Sequence, residues 1–146
     1  MLGGDHFIPR ENQVRTHHVV TCFLMHGGKV LILRRSERVG SYRGRWAAVA
    51  GYMEKEPYEQ ALQEIREEAG LEAEDVRLVA AGGTVEAADP QLDVTWIIHP
   101  FLFEIDDPAK VRLDWEHTEC RWIEPAEIGQ FDTVPKLKEA LGKVLP

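Results

Sequence analysis

The feature that most restricts the fold is a set of strand-forming runs that are apolar on both faces. His17 to His26 (HHVVTCFLMH) and Lys29 to Arg35 (KVLILRR) are rich in β-formers and are joined by Gly27-Gly28, a pattern that predicts a β-hairpin. Val94 to Ile105 carries Val94, Trp96, Ile98 and Leu102 at one parity and Ile97, Phe101 and Phe103 at the other. Side chains alternate between the two faces of a strand. Runs of this kind therefore need cover on both sides and belong inside a sheet with layers above and below it.

Helices have to supply that cover, and two segments read as helical. Pro57 to Ala69 opens with a proline suited to a first helical turn, and Gly70 follows where a helix ends. Its core face is Ala61, Leu62, Ile65 and Ala69, spaced for a 3.6-residue period. A second helix is predicted from near Pro135, with Leu137, Leu141, Val144 and Leu145 on one face. Shorter strands are predicted at Trp46 to Ala50, ending at Gly51, and at Val76 to Ala81, Thr84 to Ala87 and Cys120 to Ile123. Pro125 to Gln130 reads as a helical turn and Ser36 to Arg45 as a polar loop. The order predicts an α/β layered domain with a mixed sheet. With 146 residues and no internal repeat or linker, residues 1–146 are expected to form a single domain.

Charge and composition narrow the function classes. The net charge of −8 repels nucleic-acid phosphate, so polymeric DNA or RNA is not an expected partner. No apolar run reaches the roughly 18–20 residues of a membrane span, so no membrane partner is expected. The start, MLGGDHFIPREN, has no basic region followed by an apolar stretch, and a cytoplasmic location is expected. Cys22 and Cys120 lie far apart in strand-like surroundings, outside any CxxC pair, and read as free buried thiols rather than zinc ligands.

The most informative polar residues are on the first helix. Glu64, Glu67 and Glu68 stand at i, i+3 and i+4, a stripe about 100° wide bordering the apolar face. Like charges at those spacings repel by roughly 0.2–0.5 kcal/mol per pair, and the helix macrodipole favours cations in this C-terminal half. The helix has no lysine, and its single arginine, Arg66, points elsewhere. A divalent cation removes both penalties, and an all-oxygen donor set suits Mg²⁺, with Mn²⁺ as a substitute. Five arginines, Arg34, Arg35, Arg38, Arg43 and Arg45, fall within twelve residues, a local patch of the sign that phosphate needs. At least two of them are expected to pair with surface carboxylates. Tyr42, Trp46 and Tyr52 flank this patch as rings for stacking on a base, with Tyr52 preferred and Trp46 read as core; Trp96, Trp115 and Trp122 read as packing residues.

Glu64-Ile65-Arg66-Glu67-Glu68-Ala69-Gly70-Leu71, with Gly51 upstream, resembles the signature box of the Nudix hydrolase superfamily. The order of elements resembles that family along most of the chain, which implies a Nudix-like α/β/α sandwich around a mixed sheet. The chain departs from the box in three places. Gln63 stands where the box has an arginine that helps orient the glutamates. Twelve residues separate Gly51 from Glu64 where the box has about fourteen. The second glycine is replaced by Tyr52. The shortening leaves Glu56, then Glu54, as candidates for the upstream box glutamate.

The resemblance implies Mg²⁺-dependent hydrolysis of a pyrophosphate bond in a nucleoside diphosphate linked to another moiety. The metal ligands it implies are Glu64, Glu67, Glu68 and the carbonyl of Gly51. The base is left between a box glutamate, with Glu64 and Glu67 counted as catalytic, and the later loop Asp114 to Glu119, where Glu119 is placed ahead of Glu116. His117 is a further possibility in that loop. The partner is a small-molecule nucleotide bound by the five arginines and Tyr52, and a homodimer is implied by resemblance alone. The alternative to an enzyme is a Nudix-fold module that binds or senses nucleotide with weak or no hydrolysis.

Overall fold

The computed structural model describes residues 15–146; the stretch read above for a signal sequence lies outside them. Its centre is an eight-stranded mixed sheet built on the two longest strands, β1 (Arg15–His26) and β7 (Val94–Ile105). They run parallel from Arg15 opposite Val94 to Met25 opposite Glu104, and every other pairing in the sheet is antiparallel. The remaining strands are β2 (Lys29–Arg35), β3 (Trp46–Ala47), β4 (Val49–Tyr52), β5 (Val76–Ala81), β6 (Val85–Asp89) and β8 (His117–Ile123).

The Gly27-Gly28 hairpin forms, with φ of 58° and 78°, the left-handed values that a two-residue turn of this type requires. Its ladder is short: only Met25–Val30 and His26–Lys29 pair before the strands part. β1 then takes β4 as its neighbour, and β2 runs between β3 and β8. This divergence also splits the run expected at Trp46 to Ala50. Trp46–Ala47 pairs with β2 and Val49–Tyr52 with β1, so Gly51 lies inside β4 rather than at the end of one strand.

Both faces are covered, as the two-sided apolar runs require. On one, Val20, Cys22 and Leu24 of β1 and Phe101, Phe103 and Ile105 of β7 pack on Ala61, Ile65 and Ala69 of helix α1 (Pro57–Ala69). On the other, Phe23, Ile32, Ile98 and Leu102 pack on Leu137, Ala140, Leu141 and Val144 in and just after helix α2 (Leu137–Gly142). The result is an α/β/α sandwich. α2 is only six residues long and starts two residues later than predicted, after Lys136 at φ 66°; Ile128 of the 3₁₀ turn Pro125–Gln130 completes the cover. α1 has the predicted bounds and ends at Gly70, whose φ of 71° lets its N–H reach the carbonyl of Arg66.

Three surface assignments need correction. Cys120 is exposed, because β8 has a neighbour on one side only and presents Cys120 and Arg121 to solvent; Cys22 is buried, and both thiols are free. Trp115 is 57% exposed, with Arg38 over its ring, and does not pack in the core. β8 begins at His117, three residues early, so part of the segment read as a loop is strand. Among the described residues no helix is long and apolar enough to cross a membrane.

Candidate active site

α1 lies across β4, and its register fixes what the glutamates meet. Glu64 and Glu68, one turn apart, face the sheet and are buried, whereas Glu67 is exposed at the edge of the same cleft. Gly51 makes room for Glu64: a Cβ at position 51 would stand 2.2 Å from its carboxyl carbon. The Glu68 carboxylate accepts a hydrogen bond from the Ala50 N–H at 3.2 Å. Burial pushes both carboxyls above the usual range, Glu68 well above it, with the negative charge of Glu116 adding to the effect. The Gln60 amide opposes the shift at Glu64.

Two glutamines brace the stripe. Gln60, 1% exposed, donates from Nε2 to Glu64 Oε2 at 2.8 Å, and its Oε1 accepts from the Glu54 N–H at 2.8 Å. Gln63 donates from Nε2 to Glu67 Oε2 at 3.0 Å. Glu68 is approached instead by His117, whose Nε2 lies 3.9 Å from Glu68 Oε1 while Nδ1 is 3.0 Å from Asp114 Oδ1. The side chain is 2% exposed, and burial holds its pKa below the ordinary histidine value, opposed by the hydrogen bond to Asp114. No lysine or arginine among the described residues forms an ion pair with Glu64, Glu67 or Glu68.

These groups line a cleft of about 450 Å³. Its lining includes the carboxylates Glu54, Glu64, Glu67, Glu68 and Glu116, the aromatic rings Tyr42, Tyr52 and Trp96, and Arg35. Trp96 Nε1 donates to Tyr42 Oη at 3.2 Å, and Tyr42 Oη donates to Asp89 Oδ2 at 2.7 Å, which fixes that wall. Tyr52 leans on Trp96 with ring centroids 5.9 Å apart, and His17 contacts both rings.

Several residues singled out in the sequence lie elsewhere. Of the five arginines only Arg35 lines the cleft. The guanidinium groups largely hold their own loop: Arg34 Nε donates to the Gly44 carbonyl, Arg35 Nε to Ser41 and Arg43 Nε to Val39. Arg34 also pairs with Glu119 at 3.1 Å and Arg45 with Asp132 at 3.9 Å, while Arg38 lies over Trp115. Glu119 is thus engaged on β8 outside the cleft lining, and Glu116 is the member of the later loop that reaches in. Burial, and then Asp114, raise the pKa of Glu116. Of the two upstream candidates, Glu54 lines the cleft and Glu56 sits exposed at the helix N-cap.

Sequence reasoning did not single out Gln60 or Asp89, named Tyr42 only as a ring flanking the arginine patch, treated Trp96 as packing and read His117 as a loop residue. One signal was available: Gln60 and Gln63 each precede a box glutamate by four residues, where helical side chains meet.

The donors fit a hard divalent cation in their chemistry. They are oxygens only, two of the carboxylates are buried, and no lysine or arginine among the described residues pairs with them. As the side chains stand, no three His, Cys, Asp or Glu among the described residues are gathered closely enough to ligate one ion. Glu64 and Glu68 come together, and Glu67 rests on Gln63.

Comparison with known proteins extends the fold. Residues 15–146 match the family profile described as NUDIX domain. A MutT protein from Methanosarcina mazei superposes with a TM-score of 0.75 at 21% identity, covering 90% of this chain and 94% of that one. A C. elegans Ap4A hydrolase, solved as a binary complex, gives 0.69 at 18% identity, with 89% and 94% covered. A NUDIX hydrolase from Nitrosomonas europaea gives 0.70 at 17%, with 90% and 93% covered. At these identities the likeness is one of fold.

Proposed function

The chain belongs to the NUDIX domain family, and from that premise we propose that it is a divalent-cation-dependent hydrolase of a pyrophosphate bond in a nucleoside diphosphate carrying another group. The observation that carries this reading is the convergence of Glu64, Glu67, Glu68 and Glu116 on one cleft, with no lysine or arginine among the described residues paired to the first three. Residues 1–146 are read as one domain throughout.

Glu64, Glu67 and Glu68, with the Gly51 carbonyl beside Glu64, are the residues that would hold Mg²⁺ or Mn²⁺. A bound divalent ion would neutralise charge on the phosphoryl oxygens and acidify a water. Glu116 is the favoured base: it lines the cleft from the loop before β8, and burial has already raised its affinity for a proton. In the step proposed, a water oxygen forms a bond to phosphorus and the bond from that phosphorus to the bridging oxygen breaks. The electron pair leaves with the phosphate fragment, and Glu116 takes the proton of the water. Arg35 is placed to meet a phosphate oxygen, and Tyr52 with Trp96 offers a face for the base.

A second reading, nucleotide binding without turnover, is favoured by Gln63 in place of the box arginine. Release of nucleoside monophosphate or phosphate from a panel of dinucleotides, sugar nucleotides and triphosphates, with and without Mg²⁺, separates the two. Turnover abolished by chelation and by Glu67→Gln supports the hydrolase; binding with no turnover supports the module.

A further inference from the structure

We propose that a second recess, on the other side of the Tyr52 and Trp96 rings and lined by Arg15 and His17, takes a second phosphate of the substrate, one that is not part of the pyrophosphate bond being cut. The inference rests on the hydrolase reading above and names the substrate class of that site.

Tyr52 and Trp96, together with Ser41, line the cleft and also a recess of about 270 Å³. His17 stands against both rings from the recess, with centroids 5.2 Å from Tyr52 and 5.6 Å from Trp96. A ligand seated on these rings therefore borders both spaces.

The two spaces differ in charge. Five carboxylates line the cleft, whereas no carboxylate lines the recess, where the basic side chains are Arg15 and His17. In a chain of net charge −8, such a space is a selective place for an anion. Arg15 is also uncommitted. Its Nη2 donates to the Leu92 carbonyl at 3.0 Å, and it has no carboxylate partner among the described residues, unlike Arg34, Arg45, Arg77 and Lys110. A guanidinium held in this way keeps further N–H groups that match phosphate oxygens.

One turn holds both the rings and the arginine. Asp89 accepts from the Tyr42 hydroxyl, which in turn accepts from Trp96. A few residues on, the Leu92 carbonyl takes the Arg15 side chain and the Asp93 carbonyl takes the Arg15 N–H. Asp93 adopts a φ of 54° in this turn, a left-handed conformation that aspartate enters more readily than most residues. The second phosphate is carried either on the ribose of the nucleoside or on the group linked to its diphosphate, and the two sources give different results below.

Adenosine 2′,5′-bisphosphate and adenosine 3′,5′-bisphosphate contain no pyrophosphate bond, so they report binding without turnover. Titration calorimetry in Mg²⁺ compares them with 5′-AMP on the parent, Arg15→Gln and Arg15→Lys. At least one bisphosphate is expected to bind the parent about fivefold more tightly than 5′-AMP, the scale of one exposed charge-assisted contact. Arg15→Gln is expected to erase that gain and to leave 5′-AMP affinity within twofold, and Arg15→Lys to retain part of it. Hydrolysis of ADP-ribose, its 2′-phosphate and its 1″-phosphate, read as kcat/KM, locates the phosphate. A gain confined to the 1″-phosphate and lost in Arg15→Gln assigns it to the linked group rather than to the nucleoside.

Equal parent affinities for 5′-AMP and both bisphosphates, with equal kcat/KM for the three ADP-riboses, overturn the inference, as does a phosphate preference that persists in Arg15→Gln. A parent that hydrolyses no nucleotide overturns the hydrolase reading instead, and the calorimetric comparison still decides the recess.

Discussion

Gly51 and Glu64 occupy each other's space: the carboxyl group lies where a side chain at 51 would begin, 2.2 Å from the position of its Cβ. The backbone of β4 and the acidic face of α1 can approach this closely only because residue 51 has no side chain. Gly51→Ala therefore has to push Glu64 out of place. Displacements of this size cost about 100-fold in turnover when they move a catalytic group. The expected result is a folded protein, with melting temperature near the parent's, that has lost most of its activity. A Gly51→Ala variant with parental kcat would show that the position of Glu64 is immaterial.

The aromatic wall supplies a different kind of test. Trp96 is pinned by its hydrogen bond to Tyr42 and lies against Tyr52, itself 56% exposed on the cleft side. Stacking of a base against such rings is worth about 0.5–1.5 kcal/mol. Trp96→Ala is expected to raise KM about two- to tenfold and to leave kcat nearly unchanged. Steady-state kinetics on the preferred nucleotide checks this; an unchanged KM places the base elsewhere.

Much of this was legible in the chain. The two-sided apolar runs demanded a covered sheet, and the proline and glycine flanking Pro57 to Ala69 fixed the helix to the residue, because each acts through its own backbone. Failures came where tertiary pairing decides. Nothing local in WAAVAG reveals that its two halves join different strands, so the split at Ala48 and the position of Gly51 inside β4 were not readable. The arginine cluster misled for a related reason: it supplies donors that fold the loop 36–45 as readily as donors for phosphate, and only Arg35 faces the cleft. His117 looked like a loop histidine because its partners, Asp114 and Glu68, come from the segment just before β8 and from helix α1.

Acid sensitivity follows from a pair outside the cleft. His18 Nδ1 and His99 Nε2 lie 2.9 Å apart across the parallel β1–β7 pair. Burial, and secondarily His18, hold the pKa of His99 below the ordinary 6.5. The unfolded chain therefore takes up this proton more readily than the folded one. Its contribution to stability is complete above pH 6.5 and falls away as the pH drops toward the folded-state value. The histidine contribution to melting temperature is expected to decline between pH 7.5 and pH 5, against a rise from Glu64, Glu68 and Glu116, whose raised pKa values favour the folded state as the pH falls, and His99→Gln is expected to remove part of the decline. His117, depressed by its own burial, contributes with the same sign, so the slope is reduced rather than abolished. A slope identical in the variant assigns the acid sensitivity to other groups.

The carboxylates of α1, acting with a divalent cation on a phosphoanhydride, are the centre of the proposed chemistry. Glu68→Gln addresses them most directly, because it keeps the shape of a side chain that is 3% exposed and removes its charge. Nucleotide hydrolysis should be measured across a Mg²⁺ titration in parent and variant, with melting curves on both. The prediction is a parent whose turnover saturates with Mg²⁺ and vanishes with chelator, and a folded variant whose kcat falls at least a hundredfold. Hydrolysis that continues in chelator, or a Glu68→Gln protein that turns over like the parent, would contradict it.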